Sequence, residues 1–328
     1  MNKFVKPLTL GNLILSSNVF YAPLAGCSDY PFRQMAARYN PGLIFCEMVK
    51  MEALIRLEPS TYSLLDYDSS MHPIGAQLCG SNPKLAAPCS RIIEDLGFDV
   101  IDLNCGCPVD KVTKDGSGSG MLKNPELIGE MIFNMVAEVN IPVTVKIRAG
   151  WDDDTINAPL ITQIAEQAGA KAIAIHGRTR QQKYKGDANW DHIKASKAVA
   201  KSIKVIGNGD VFDAKAGLDL FEHAGCDAIL IARGTFGQPW IAENVKRLDM
   251  GLPLLTPSIR EHLLDHMAFI TSYQSEHKAL LSMKRIGCWY LRNAVGVKKL
   301  REALNKSKKL TEAEELIKNY DWEQAAFN

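Results

Sequence analysis

The sequence predicts a (β/α)8 barrel followed by a small all-helical domain. Short apolar runs rich in Val, Ile and Leu recur eight times before residue 250. Amphipathic stretches of helical length separate most of them. Beyond residue 250 the strand signal stops and only helical patterns follow.

The eight runs are VFYAPLAG near residue 19, LIFCEM near 43, IGAQLCG near 74, VIDLNCG near 100, VTVKIRAG near 143, AIAIHGRT near 172, KVIGNGD near 204 and AILIARG near 228. Each is short and nearly continuous, as strands covered on both faces should be. Between them lie stretches such as NPKLAAPCSRIIEDLG, NPELIGEMIFNMVAEV, INAPLITQIAEQAG and DAKAGLDLFEHAG. Several end in Gly, a common helix stop. An open doubly wound sheet is the alternative, but eight regular β/α units favour closure. The stretch MGLPLLTPS, with two prolines and a glycine, reads as a linker. After it come IREHLLDHMAFITSYQSEH, ALLSMKRIGCWYLRNAVG, VKKLREALNKS and TEAEELIKNY, with no strand signal. The expected division is residues 1–250 and 251–328. A length of 328 residues agrees with two domains, since one core usually stops growing at roughly 250–300 residues.

Composition narrows the function classes. Hydrophobic residues make up 46% and charged residues 23%, ordinary for a water-soluble globular chain. No apolar run reaches the ~18 residues of a membrane span. The N-terminal MNKFVKPLTL has no long apolar export signal, so a cytoplasmic location is expected. The eight cysteines occur singly or as CxC, which predicts free thiols and no metal site. A monomer is expected. The net charge of +1 hides an asymmetry. Residues 278–309 carry ten Lys or Arg against Glu302 alone, which leaves the rest of the chain acidic. A basic end on an acidic body suits a polyanionic partner.

Active sites of (β/α)8 barrels lie at the C-terminal ends of the strands. Chemically capable residues gather there: Gln77, Asn104, Cys107, Lys146, Arg148, His176, Arg178, Asn208, Asp210 and Arg233. One buried His or Asn would more often be structural, but a series of such strand ends reads as a site. The loops after the last two strands, GNGDV and ARGTFG, occupy the usual phosphate position of this fold. Gly207 and Gly209 allow close backbone approach there, and Arg233 can pair with a phosphate. A plain tight turn is the competing explanation.

With NCGCP (104–108), the sequence resembles the tRNA-dihydrouridine synthases, most closely their bacterial B-type branch. The resemblance spans nearly the whole chain. Its motifs are APLAGCSDYPFR (22–33), GAQLCG (75–80), DLNCGCP (102–108), VKIRAGW (145–151), HGRTRQQKYKG (176–186), GNGDV (207–211), ARGTFGQPW (232–240) and MKRIGCWYL (283–291). It implies FMN as cofactor, NADPH as reductant and a uridine of tRNA as substrate, with a lean toward the D-loop. By motif position, Pro23, Leu24 and Ala25 would line the flavin through backbone atoms. Gln77 would bond the isoalloxazine edge, Lys146 would sit near its N1/O2 side, and His176 would pack beside it. Asn208, Gly209, Asp210, Ala232 and Arg233 would hold the ribityl phosphate. Cys107 would give a proton to the uracil ring, and Asn104 would position that ring.

The chemistry fits those roles. Hydride addition at uracil C6 builds enolate charge, and C5 must then gain a proton. A thiol of ordinary pKa, about 8.5, is mostly protonated near neutrality and is a competent acid. An ammonium near flavin N1 stabilises the charge of the reduced ring. Cys107 could instead be a small buried hydrophobe, as cysteines away from sites often are. Cys105 is its decoy, and Cys27, Cys46 and Cys79 are expected in packing. Lys146 has a rival role as a Schiff-base lysine of an aldolase-type barrel.

A uridine of folded tRNA must leave its stack to be reduced, and cations supply the salt-dependent affinity. Lys284, Arg285 and Arg292 are the expected RNA contacts. Trp289 and Tyr290 beside them are either stacking groups or core. Arg178, with Arg180 and Lys183, is placed near the RNA at the site. Three departures from the family pattern stand out: Ala232 where Gly is usual, Arg285 where the B-type branch has His, and the glycine-rich GSGSGM (116–121). The last two bear on RNA fit and loop flexibility. Competing readings are a flavin reductase of free pyrimidines or other small enones, and a non-catalytic RNA-binding protein on an old barrel.

Overall fold

The computed structural model describes residues 3–292 and 294–327. It opens with a hairpin of two three-residue strands, β1 (Leu8–Leu10) and β2 (Leu13–Leu15). Gly11 turns it at φ +60°, a conformation that costs a glycine little. Eight strands then form a closed parallel barrel: β3 (Val19–Tyr21), β4 (Leu43–Lys50), β5 (Ile74–Cys79), β6 (Val100–Cys105), β7 (Val143–Arg148), β8 (Ala172–His176), β9 (Lys204–Asn208) and β10 (Ala228–Ile231). Each pairs with the next, and β10 pairs with β3. These are the eight runs singled out in the sequence.

Period-two alternation sorts the side chains. Residues such as Ile101, Leu103, Val145, Ile173, Val205 and Ile229 face the surrounding helices and join the large core. Phe20, Leu43, Val100, Ala172, Ile206 and Ala228 form a separate apolar cluster inside the barrel. Leu8, Leu10 and Leu15 of the hairpin belong to that inner cluster and close the barrel's lower end. The hairpin was not anticipated, since each arm holds only three residues.

The helices follow their end signals. Asp213 accepts from Ala216 N–H to start Ala214–Ala224, and Gly225 at φ +61° ends it. Asn82 and Asn124 cap Pro83–Asp95 and Pro125–Glu138 in the same way, each with Pro at the first helical turn.

Beyond the barrel, helices Ile259–Tyr273, Glu276–Tyr290, Lys298–Lys306 and Leu310–Asn319 build a second core around Leu263, Ile270, Met283, Ile286, Leu300 and Ile317. The connecting stretch is tied down. Asn244 exchanges hydrogen bonds with the Leu255 backbone, and Arg247 bonds the Pro253 carbonyl. One expectation fails here: Ala294–Val295 pairs antiparallel with Ala326–Phe327, a strand pair too short to show in the sequence pattern. The helical part is locked to the barrel mouth by Trp289, which stacks on Phe236 at 4.1 Å and 3°. Gly237 makes that approach possible, since a Cβ there would lie 2.3 Å from the Trp289 carbonyl oxygen.

Candidate active site

Inside the barrel, polarity rises along each strand. Val100 leads to Asp102 and Asn104 on β6, and Thr144 to Lys146 and Arg148 on β7. Ala172 and Ala174 lead to His176 on β8, and Ile206 to Asn208 on β9. The pairing register sets Gln77 beside Asp102, Asn104 beside Lys146, and His176 beside Asn208. The outcome is an apolar plug below and a polar floor above it.

Over this floor opens a cavity of about 410 Å³. That lies within the roughly 300–1,000 Å³ usual for small-molecule sites. Gln77, Asn104, Lys146, His176 and Asn208 line its base, and Cys107 stands at its side. Pro23, Leu24 and Ala25 form one wall. Gly209, Asp210, Ala232 and Arg233 form the other end. Cys107 is half-buried, whereas Cys105 is buried with its sulfur 3.7 Å from Met121 Sδ. Cys46 and Cys79 are buried, as expected. Cys27 is not: its thiol lines the cavity, because the loop after β3 turns it inward.

A chain of amides runs across the floor. Thr144 Oγ1 and Gln77 Nε2 both donate to the Asp102 carboxylate, at 2.6 and 2.7 Å. Asn104 Nδ2 donates to Gln77 Oε1 at 2.7 Å. Asn104 Oδ1 in turn accepts the N–H groups of Gly106 and Cys107, at 3.1 and 2.9 Å. The Cys107 carbonyl accepts from Ser119 N and Oγ. Ser119 comes from the glycine-rich run, which is a buried 3-10 turn against the Cys107 loop rather than a flexible segment. At Gly118, φ +58°, a Cβ would meet the Cys107 carbonyl at 2.9 Å. Asp102, Thr144 and Ser119 were missed as site residues. A carboxylate within an apolar strand was the available signal, since a buried charge needs partners.

Charge is tuned by burial. Desolvation pushes the Asp102 carboxyl up to about 6. It pushes Lys146 down to about 8, with the Arg148 cation acting in the same direction. Lys146 Nζ donates to Asn208 Oδ1 at 3.1 Å. His176 is held well below its usual value by burial and then by Lys146, Arg148, Arg178 and Arg233, so it is neutral near pH 7. Arg148 is spent on the loops, donating to the carbonyls of Gly106, Thr179 and Lys183.

The far end suits an anion. Gly209 sits at φ +123°, where a Cβ would strike Ala188 and His176, so the backbone passes close. Arg233 lies there between the rings of Tyr184 and Phe212. The Asp210 carboxylate faces arginines: it takes two bonds from Arg178, at 2.8 and 2.7 Å, and a longer one from Arg233. Arg178 is only 3% exposed and also bonds the Gly186 carbonyl. Its expected contact with RNA is therefore corrected: the loop 176–186 folds back and buries it. Arg292 is exposed over Phe212 at the cavity rim. Lys284 is partly exposed, and Arg285 bonds the Gly26 carbonyl and approaches Asp29 Oδ2 at 3.5 Å. Tyr290 is core, and Trp289 is occupied by its stack on Phe236.

A model of the family "Dihydrouridine synthase (Dus)" matches residues 20–327. The chain belongs to the dihydrouridine synthase family. That membership makes it an oxidoreductase. A probable tRNA-dihydrouridine synthase of Rickettsia conorii is 36% identical to it, over 91% of each chain. The tRNA-dihydrouridine synthase B of Vibrio cholerae is 34% identical, over 91% of this chain and 94% of its own. Among solved structures, morphinone reductase superposes with a TM-score of 0.57 at 15% identity, covering 79% of this chain and 92% of its own. Histamine dehydrogenase from Rhizobium sp. gives 0.56 at 13%, covering 80% and 50%. These two similarities concern the fold. No described helix is long and apolar enough to cross a membrane.

Proposed function

We propose that this family member is an FMN-dependent tRNA-dihydrouridine synthase that uses NADPH to reduce a D-loop uridine, with Cys107 as proton donor. The observation that carries this reading is the half-buried Cys107 thiol beside a cavity floored by Gln77, Lys146, His176 and Asn208. The residues present fit FMN. The glycine-lined end with Arg233 suits its phosphate, and the floor offers donors and acceptors to a flat heteroaromatic edge. Bound and reduced, FMN supplies the hydride that uracil receives at C6.

The chain's own residues do the rest. Pro23, Leu24 and Ala25 border the ring through their backbone. Gln77 and Lys146 face its polar edge, and the Lys146 cation stabilises negative charge there. His176, neutral, packs beside it. Asn208 fixes Lys146, while the backbone at Gly209, Asp210 and Ala232 and the Arg233 side chain receive the phosphate. The Asp210 carboxylate does not meet the phosphate; it aligns Arg233 and Arg178. Asn104 holds the Cys107 loop, and its amide hydrogens, directed at Gln77 Oε1 and the Met48 sulfur, set the floor on which the base is positioned. The Cys107 S–H bond breaks as its proton passes to uracil C5, which completes the addition. Residues 1–250 are the catalytic domain and 251–328 the tRNA-binding domain, with Lys284, Arg285 and Arg292 on the RNA side. The enzyme works as a monomer in the cytoplasm.

The test is direct. The purified protein should show flavin absorbance, and with NADPH it should form dihydrouridine in tRNA but not from free uracil. A colourless protein that cannot be reconstituted with FMN overturns the reading. Equal turnover of free uracil moves it to the small-molecule reductases.

A further inference from the structure

A second cavity, of about 720 Å³, lies at the seam between barrel and helical domain. The loop 24–28 divides it from the first: Ala25 and Cys27 line one cavity and Gly26 the other. One wall is a single face of helix Glu276–Tyr290, with Lys278, Leu281, Ser282 and Arg285 at helical spacing. The opposite wall is barrel, with Asp29, Tyr30, Arg33 and Glu47. Tyr30 is stacked on Tyr273 at 4.5 Å, which gives the cavity an aromatic edge.

Its polar groups are unevenly satisfied. Glu47 is 7% exposed; its Oε2 accepts the Gly26 N–H, and Oε1 has no hydrogen-bond partner among the described residues. Arg33 is fully buried, bonds the carbonyls of Ser28 and Asp66, and leaves Nε without an acceptor. Arg285 Nε is likewise unpartnered. Lys278 is exposed and makes no ion pair among the described residues, and the Ser275 side chain leaves the start of its helix uncapped. A free carboxylate oxygen beside free cationic donors and an aromatic edge matches a nucleotide. The phosphate would meet Lys278 and the helix start, with Glu276 the one opposing charge in that turn. The base would offer one N–H to Glu47. Proteins read single-stranded RNA by such splayed bases.

We propose that this cavity seats the nucleotide adjacent to the target uridine in the RNA and selects a base bearing an exocyclic amine. The proposal rests on the first cavity being the uridine site, since only a five-residue loop separates the two. Glu47 offers one free acceptor where the exocyclic amine would lie, so cytosine fits, whereas uracil seated in the same orientation presents its O4 carbonyl to the carboxylate and is repelled.

The experiment uses holoenzyme and tRNA transcripts with cytosine or uracil placed 5′ or 3′ of the target uridine, and measures kcat and KM for dihydrouridine formation. On one side, uracil should raise KM about tenfold, the worth of one lost charged hydrogen bond, with kcat little changed. Glu47→Gln keeps an acceptor for Gly26 and turns the free oxygen into a donor, so the preference should vanish or reverse. Lys278→Ala, at an exposed position, should raise KM for all transcripts alike. Equal KM for both bases on both sides, or a preference that survives Glu47→Gln, overturns the subsite and leaves the reductase reading intact. A holoenzyme that reduces no uridine in any transcript overturns the reductase reading, and the subsite falls with it.

Discussion

Gln77 Nε2 donates to the Asp102 carboxylate at 2.7 Å, and this bond decides which way the amides of the floor point. A carboxylate only accepts. Gln77 must therefore turn its oxygen to Asn104, and Asn104 must turn its own oxygen to the Cys107 backbone. Asp102, 3% exposed, is a positioning residue that acts on Cys107 through two side chains.

Asp102→Asn should disturb that order, because one amide oxygen cannot serve both Gln77 and Thr144 without turning its NH2 toward a donor. Dihydrouridine formation should fall about tenfold to a hundredfold, the loss of a charged hydrogen bond. In the wild type the accepting carboxylate is present above pH about 6 and is lost as pH falls through that value. The rate with tRNA should therefore drop on the acid side, and the variant should lose that limb. A variant with wild-type rate and pH profile would falsify the positioning role.

Cys107→Ala separates the two half-reactions. NADPH should still bleach the flavin at its normal rate, since the thiol plays no part in that step. Single-turnover formation of dihydrouridine should fall by roughly 10²–10⁴, the usual contribution of a general acid. Unchanged tRNA turnover would remove Cys107 from its role. Cys27→Ala is the matched control, as its thiol lines the same cavity.

Burial lowers Lys146 to about 8, so the enzyme without flavin holds a cation there below that pH and loses it above. A bound anion raises a neighbouring ammonium's pKa, so the limb should appear at a higher pH in the reduced holoenzyme. Flavin reduction by NADPH should slow as pH climbs past the limb. Lys146→Met should reduce flavin about tenfold or more slowly, with that limb gone. Stopped-flow bleaching across the alkaline range decides it; a flat wild-type profile counts against the assignment.

The barrel was legible because its signal is repetitive: eight apolar runs of the same kind, the last six of them ending in polar groups. The direction of individual side chains was not. Arg178 and Arg233 both follow barrel strands, yet one is sealed under a folded-back loop and the other faces the cavity. Cys27 looked like packing because nothing in its neighbourhood shows how the loop after β3 turns. Asp102 sat unread within VIDLNCG, where its meaning depends on Thr144 and Gln77 from the two neighbouring strands. Contacts of that kind are set by the register between neighbouring strands, which brings together residues some 25 and 42 positions apart.

Arg178 and Arg292 offer the sharpest contrast between a buried cation that braces the site and an exposed one that is proposed to meet the RNA. Arg178 holds Asp210 by two short bonds with both groups largely out of water. Removing one partner of such a pair costs roughly 3–5 kcal/mol, because the other is left uncompensated. Arg178→Ala should therefore lower the melting temperature and release FMN more readily, while the salt dependence of tRNA binding stays as it was. Arg292 is exposed at the cavity rim, so Arg292→Ala should leave stability untouched. It should reduce the slope of log K against log salt by about 1, one phosphate contact fewer. Binding titrations at several salt concentrations, paired with thermal melts, separate the two roles. A changed slope for Arg178→Ala, or an unchanged one for Arg292→Ala, would reverse the assignment of the residue concerned.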